Sequence, residues 1–319
     1  MSVKPQAGTT TARLTAASVG MAGSFFLFAA YVVIPPAGLF SGLLAPFPAI
    51  FFRFRYGRGV AAIITIGTTA LLAGVFGVQT AALYLVQCGV IAHLMPELID
   101  NGVGVARSMI WTTAANLVVY LLAAVAVTAV SGLNIHQMAV TEINSSIAQA
   151  LSIYEKAGVK GDELVVMKQS MSMAAAVIAR IYPSLMTVLL IAMTGCNMAL
   201  LRRFSNRLGC DLDIGEFNDF RMPELLVWLL IAAGFAMLAN NPMVTVPALN
   251  LLVILTVFYF LQGLAVISTI IARQSFSGVL RVGMYLFLLL QPYMAALVAA
   301  IGIFDLWVDF RTPRKQENL

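Results

Sequence analysis

Long apolar segments recur along this chain, and the clearest of them runs from Asn250 to Ile271. It carries no charge, and its largest polar side chains are those of Asn250 and Gln262. About 20 apolar residues, at roughly 1.5 Å per residue in a helix, cross a bilayer core of about 30 Å. The segment therefore predicts a membrane-spanning helix over about 245–272.

Other apolar segments predict further spans in the same way. The segment at 38–52 is short and follows Pro35 and Pro36, which interrupt a helix. Counts of eight and of nine spans therefore both stay open, depending on whether 38–52 crosses the bilayer. We expect residues 1–319 to form a single all-α integral membrane domain, a polytopic transmembrane helical bundle. The predicted spans are 16–34, 38–52, 59–76, 79–96, 108–131, 182–201, 223–240, 245–272 and 282–304.

A polar stretch at 132–180 interrupts this series of spans. Within it, apolar residues recur every three or four positions in two sets that are separated by Gly158 and Gly161. Because this spacing is typical of amphipathic helices, it predicts a helical hairpin whose second arm continues into the next span. We expect the hairpin to be extracytoplasmic, either as a loop packed on the membrane face or as a lid over a mouth. The two sets are Ile143, Ile147, Leu151 and Tyr154, then Leu164, Met167, Met171, Ala174 and Ile178.

Basic residues cluster at the ends of apolar segments, in RFRYGR (53–58), LRRFSNR (201–207) and RQSFSGVLR (273–281). Since cytoplasmic loops of membrane proteins carry an excess of Lys and Arg, these three turns and the N-terminus are predicted to be cytoplasmic. Nine spans would then place the C-terminal tail, with Arg311, outside. That placement conflicts with the same rule.

Composition supports a membrane protein, because 61% of the residues are hydrophobic and only 10% are charged. A soluble domain carries about 25% charged residues. The net charge of +5 could indicate a nucleic-acid partner, but the basic residues do not form one patch. We therefore expect the lipid bilayer, and no nucleic acid, as a partner.

The chain lacks the common motifs of catalysis and cofactor binding: GxxxxGK[ST], HExxH and GxSxG are all absent. His93 stands alone in an apolar run, which is typical of a packing residue. The cysteines, Cys88, Cys196 and Cys210, show no metal-ligand spacing. Acidic residues fall in loops or at the ends of predicted helices, which argues against an intramembrane protease or a proton-driven pump. We expect no enzyme activity, no metal and no cofactor.

Neutral polar side chains within the predicted spans are the best candidates for a binding site. In lipid each needs a hydrogen-bond partner, which another helix or a cavity can provide. Gln262 stands beside a glycine and Gln291 before a proline, both of which favour a cavity. We predict a ligand pocket with Arg180 and Tyr182 at its outer mouth, Gln262 and Gln291 deeper, and Asn250 as a further contact. The alternatives are interhelical hydrogen bonding for the amides and, for Arg180, contact with lipid phosphate.

Four segments carry a resemblance to a known family: APFPAIFFRFRYG (45–57), FRMPELLVWLL (220–230), NLLVILTVFYFLQGLAVI (250–267) and GIFDLWVDFR (302–311). In them the chain resembles the YybS-like family of bacterial polytopic membrane proteins, a family of unknown function, over nearly its whole length. The resemblance implies a multi-pass protein of the bacterial cytoplasmic membrane.

That family is in turn distantly similar to the S components of energy-coupling factor transporters, six-span proteins that capture vitamins or metal ions. An S component couples to its transmembrane partner through small residues four apart on its first helix. Ala16, Gly20 and Ser24 have this spacing here. The similarity thus implies a transmembrane coupling subunit and ATPase subunits as partners, and a small-molecule ligand.

Two functions follow as hypotheses. The first is a transporter-like, substrate-binding membrane subunit that is energised by partner proteins. The second is a membrane scaffold or assembly factor that keeps the fold without a ligand site. A water-accessible cavity that reaches Gln262 would favour the first, and a fully packed interior would favour the second.

Overall fold

The computed structural model describes residues 9–34, 38–132, 134–208, 217–273, 278, 280, 283–284, 287 and 291–312. All regular secondary structure within these residues is helical, which confirms the all-α prediction. The chain forms two compact units. The first comprises Met1–Leu122 and Thr187–Arg221, and the second comprises Ala123–Met186 and Met222–Leu319.

The N-terminal part of the chain supplies most helices of the first unit. Two of them are joined without a break by a single π-helical turn, Leu85–Gly89. The helices are α1 (Thr10–Val33), α2 (Gly38–Leu44), α3 (Phe47–Tyr56), α4 (Arg58–Phe76), α5 (Val78–Tyr84), α6 (Val90–Asp100) and α7 (Val105–Ser131).

The short segment predicted at 38–52 is the broken helix pair α2–α3, which retraces α1 in the opposite direction. A Cβ at Gly42 of α2 would lie 2.9 Å from the Tyr31 ring, near the end of α1. A Cβ at Gly20, in the middle of α1, would lie 2.9 Å from the Phe52 ring of α3. The chain therefore returns along α1 through two helices that are each too short to span a bilayer alone.

The remaining helices are mostly those of the second unit. The α7 and α9 helices contribute residues to both units. Two 3₁₀ turns, Ser205–Arg207 and Phe217–Asp219, lie in the connection after α9. The helices are α8 (Ile135–Lys156), α9 (Asp162–Phe204), α10 (Leu225–Ala236), α11 (Pro242–Arg273) and α12 (Pro292–Val308).

Six helices in the described part of the chain are long and apolar enough to cross a membrane. This confirms a polytopic membrane protein, whereas eight or nine spans stays a prediction. The six are Thr10–Val33, Arg58–Phe76, Val78–Asp100, Val105–Ser131, Asp162–Arg207 and Pro242–Arg273, and two shorter apolar helices are Leu225–Ala236 and Tyr293–Val308.

The polar stretch at 132–180 is a helical hairpin, as predicted. Its turn contains Gly158 and Gly161, with φ of 97° and 69°, a backbone region that favours glycine. The second arm is the N-terminal part of α9, whose 43 residues run on into the predicted span. Most of the predicted apolar positions are half-buried, but Tyr154, Ala174 and Ile178 are exposed.

Helices α11 and α12 run in the same direction and touch through their backbones. A Cβ at Gly302 would lie 2.7 Å from the backbone nitrogen of Gly263, and a Cβ at Gly263 would lie 2.8 Å from the carbonyl carbon of Val298. Farther along, the Arg273 guanidinium donates to the backbone oxygen of Arg311. The C-terminal ends of the two helices therefore lie at the same end of the second unit. The nine-span arrangement, which places Arg273 inside and Arg311 outside, does not fit this contact, and the number of spans stays a prediction.

Candidate functional site

Gln262, the residue predicted as the leading ligand contact, is fully buried in α11. Its Oε1 accepts from the backbone N–H of Met222 at 2.9 Å, and its Nε2 donates to Asp305 Oδ2 at 3.2 Å. Met222 lies in the non-helical segment that precedes α10. The Gln262 amide thus provides an acceptor for the Met222 N–H, which has no acceptor within a helix. Gln262 lies about 16 Å along α11 from Arg273.

Asp305 links Gln262 to a buried ion pair. Its Oδ2 also accepts from Arg311 Nη2 at 2.8 Å, and the two side chains are 0% and 8% exposed. Its other oxygen, Oδ1, is buried and accepts no hydrogen bond from the described residues. The sequence placed Asp305 just beyond the predicted span at 282–304, and nothing in it indicated that this carboxylate is buried. Asp305 lies near the end of α12, and the sequence alone does not show that α11 packs directly against this part of α12.

Asn250, also on α11, bonds to a second interrupted stretch of backbone. Its Oδ1 accepts from Ser184 N at 2.9 Å, and its Nδ2 donates to Arg180 O at 2.8 Å. These groups lie on either side of Pro183, which lacks an N–H and crowds the preceding turn of α9. The structure thus brings Asn250 and Arg180 together, but through the arginine backbone.

Tyr182, two residues from Arg180, and the more distant Gln262 and Gln291 have other bonding partners. Tyr182 stacks on His136 of α8 and shares a hydrogen bond of 3.1 Å between its hydroxyl and His136 Nδ1. Gln262 is twelve residues from Asn250 on α11, roughly 18 Å by helical rise. Gln291 is exposed at the N-terminal boundary of α12 instead of deep in the interior. The described contacts therefore do not bring all five predicted ligand contacts together, and the ligand pocket stays a prediction.

Two amides of the first unit follow the same rule as Asn250 and Gln262. Asn116 Nδ2 donates at 3.0 Å to the carbonyl of Gln87, inside the π-helical turn. Asn197 Nδ2 donates at 2.7 Å to the carbonyl of Leu43, in the last turn of α2. Three buried amides and the half-buried Asn250 thus bond to backbone groups where a neighbouring helix is broken or distorted. This is the interhelical alternative that the sequence left open.

The predicted docking residues of α1 face the chain's own helices. Ala16, Gly20 and Ser24 are buried, and a Cβ at Gly20 would meet the Ile64 side chain of α4 at 2.9 Å. A partner could reach this face only if α1 and α4 separated. Docking there stays a prediction.

Comparison with family models gives one decisive match: a family described as a predicted membrane protein matches residues 23–306. The chain belongs to the DUF2232 family. No curated protein and no solved structure gives a significant match. Membership establishes a predicted membrane protein, and this description names no activity.

Sequence reasoning missed an ion cluster in the first unit of this DUF2232 protein. Arg53 is buried, donates to Glu97 Oε2 at 2.5 Å, and lies 3.5 Å from Asp100 Oδ2. It also donates to the backbone oxygen of His93, while Arg58 pairs with Glu97. From the sequence alone these arginines indicate a cytoplasmic turn, because nothing in it shows that the ends of α3 and α6 meet.

A cavity of about 400 Å³ in the first unit of this family member was also not predicted. Its walls are apolar apart from Thr65 and His93, whose Oγ1 and Nε2 lie 3.2 Å apart. The π-helical turn contributes Leu85 and Gly89 to the wall. Across the residues that the structure describes, no group of three or more His, Cys, Asp or Glu side chains could hold a metal ion.

Proposed function

We propose that this DUF2232 protein is a membrane scaffold or assembly factor of the bacterial cytoplasmic membrane, with other proteins as its partners and no catalytic role. One observation carries the proposal: the amide of Gln262, the best-placed candidate for a ligand, is fully buried and bonded at both ends within the protein. A substrate would have to displace the Met222 N–H or Asp305. Either change leaves a buried polar group unpaired, at about 1–3 kcal/mol.

Packing around Gln262 supports the same conclusion. The next residue, Gly263, contacts the backbone of α12 directly, so no side-chain-sized space separates the two helices there. Buried hydrogen-bonded networks favour one arrangement of the helices over others. A rigid interior of this kind suits a protein that presents a fixed surface.

The hairpin offers a surface for a partner. At about 1.5 Å per residue, α9 is about 65 Å long, roughly twice the bilayer core, so about half of it lies outside the core. Its N-terminal part exposes Val166 and Met173, which are 63% and 58% exposed and two turns apart. We place this surface outside the cytoplasm, following the positive-inside rule.

The topology that accompanies this proposal has the N-terminus and the C-terminal tail inside. Because α11 and α12 are parallel, Arg311 lies at the same end as Arg273, which the positive-inside rule assigns to the cytoplasm. Cysteine-accessibility labelling at positions 203 and 311 tests this. Labelling of either position from outside only would overturn it.

Affinity purification from native membranes in mild detergent tests the scaffold proposal. We expect proteins that copurify with the wild type to be lost with Val166→Glu and Met173→Glu, which place charge on the apolar surface. Gln149→Glu, at an exposed position on α8, is the matched control and should retain them. Recovery of a stoichiometric small molecule, with no protein partner, would overturn the proposal.

A transporter-like, substrate-binding subunit is the second candidate, and the number of long apolar helices favours it. Six such helices occur in the described residues, and S components have six spans. On this alternative, the similarity to YybS-like proteins and S components extends to partners, namely a transmembrane coupling subunit and ATPases. An ATPase among the copurified proteins, together with uptake that depends on ATP, would support this candidate over the scaffold.

A further inference from the structure

The cavity of the first unit lies between α4, the helix formed by α5, the π-helical turn and α6, and one residue of α7. A π turn holds one more residue per turn than an α-helix and often marks a functional site. Gly89 ends this turn without a side chain, and a Cβ there would lie 3.3 Å from Leu85 Cδ1 and 3.7 Å from Thr65 Cγ2. The wide turn and the glycine together leave room for the cavity.

The cavity is accessible from the hydrocarbon of the bilayer. Of its wall residues, Ile66 is 67% exposed and Leu85 is 46% exposed, and both belong to helices that are apolar enough to span a membrane. The wall residues carry no formal charge besides any on His93. A volume of about 400 Å³ suits a small ligand. Such a site admits an apolar molecule that is dissolved in the membrane and excludes a charged solute.

The polar part of the cavity wall consists of Thr65 and His93, and it can accept one further hydrogen bond. The Thr65 hydroxyl lies 3.0 Å from the carbonyl of Ala61, one turn earlier, and donates its single proton there. It must then accept from His93, so Nε2 of His93 carries the proton and Nδ1 presents a lone pair. No described residue donates to Nδ1. A ligand in this cavity that carries a hydrogen-bond donor would fulfil the requirement.

We propose that this cavity binds a hydroxyl-bearing membrane lipid, whose hydrocarbon chain fills the apolar part and whose hydroxyl donates to Nδ1 of His93. His93 lies seven residues from the end of α6 at Asp100, about 10 Å along the helix axis. The hydroxyl therefore lies toward the end of the span where Arg53 and Arg58 pair with Glu97. The site does not depend on the scaffold function, which needs no ligand.

Two probes with the same hydrocarbon chain test the site on the purified full-length protein. Monoolein carries free hydroxyls, and methyl oleate carries none. Native mass spectrometry during titration with each lipid gives their relative affinities. We expect monoolein to bind about tenfold more tightly than methyl oleate, as one added hydrogen bond implies. Equal affinity of the two lipids for the wild type overturns the proposal.

Variants localise the binding. His93→Leu should abolish the preference for monoolein, and Ala62→Phe, which fills the cavity, should abolish binding of both lipids. Ala70→Phe, on an exposed part of α4 outside the cavity, is the matched control and should bind as the wild type does. A preference that survives in His93→Leu overturns the assignment of the hydroxyl. If Ala62→Phe does not fold, as judged by size-exclusion chromatography, Val90→Phe replaces it.

Discussion

The polar groups inside the two units meet their partners in different ways. In the second unit, Gln262 is bonded at both ends, and Asp305 joins it to Arg311. In the first unit, Thr65 and His93 bond to each other and border a cavity. A polar residue within a span is therefore a candidate for a ligand site where it lines a cavity and one of its groups has no partner among the described residues. Substitutions at the two places should therefore differ in their effect on stability.

The largest effect is expected where α11 and α12 touch. Gly263→Leu places a side chain against the backbone of Val298, which cannot move without displacing α12. Overpacking of a core costs about 1–3 kcal/mol and more where backbone is hit, so we expect loss of the folded protein. Gly74→Leu, at a glycine of α4 with open space around it, is the control. Expression and thermal unfolding in detergent report both, and equal stability of the two variants contradicts the close contact.

Breaking the buried ion pair should have the next largest effect. Asp305→Leu removes the carboxylate that Arg311 and Gln262 both contact, and loss of one partner of a buried pair costs about 3–5 kcal/mol. Denaturant titration in detergent measures the change. Asp162→Leu, at the exposed start of α9, loses only a favourable interaction with the helix N-terminus and should cost at most about 1 kcal/mol. A small effect of Asp305→Leu would show that the pair is exposed to water.

Gln262→Leu should lower the free energy of unfolding by about 1–3 kcal/mol, because it leaves the Met222 N–H without its acceptor. Gln291→Leu makes the same change at an exposed position and should be close to neutral. Thermal unfolding of the two variants without added ligand is the measurement. If Gln262→Leu were neutral while binding of a small molecule was lost, the amide would be a ligand contact and the transporter-like candidate would gain.

The smallest effect is expected at the edge of the cavity. Thr65→Val removes an acceptor from His93 but keeps the shape of the side chain, and a single neutral hydrogen bond contributes about 0.5–1.5 kcal/mol. Since the cavity can admit another partner for the imidazole, we expect a loss at the lower end of that range. A loss larger than that of Gln262→Leu would reverse the comparison of the two units.

Local patterns in the sequence predicted the helices well. The apolar runs mark α1, α4, α7 and α11, because burial in lipid requires about 20 apolar residues in sequence. The hairpin follows from the spacing of Ile143, Ile147 and Leu151, which are half-buried. Both signals depend on neighbouring positions only, so one sequence is enough to detect them.

The pairings between helices could not be predicted in this way. Gln262 and Asp305 are 43 residues apart, and Arg53 and Glu97 are 44 apart. The sequence showed that a buried amide needs a partner, but a broken backbone, a carboxylate and a ligand all satisfy this need equally. Only the direction of α12 relative to α11 decides that Asp305 reaches Gln262. That direction depends on contacts of Gly263 and Gly302 that leave no local pattern.

The π-helical turn at Leu85–Gly89 accommodates one extra residue without changing the direction of the side chains that follow it. A π turn takes up about one residue more than an α-helical turn for nearly the same rotation about the helix axis. Deleting a single residue from it would restore a regular α-helix, and His93 would still face Thr65 and Glu97 would still face Arg53. The wide turn itself would be lost, and with it part of the cavity wall. One codon thus sets the shape of the cavity and leaves the ion cluster aligned.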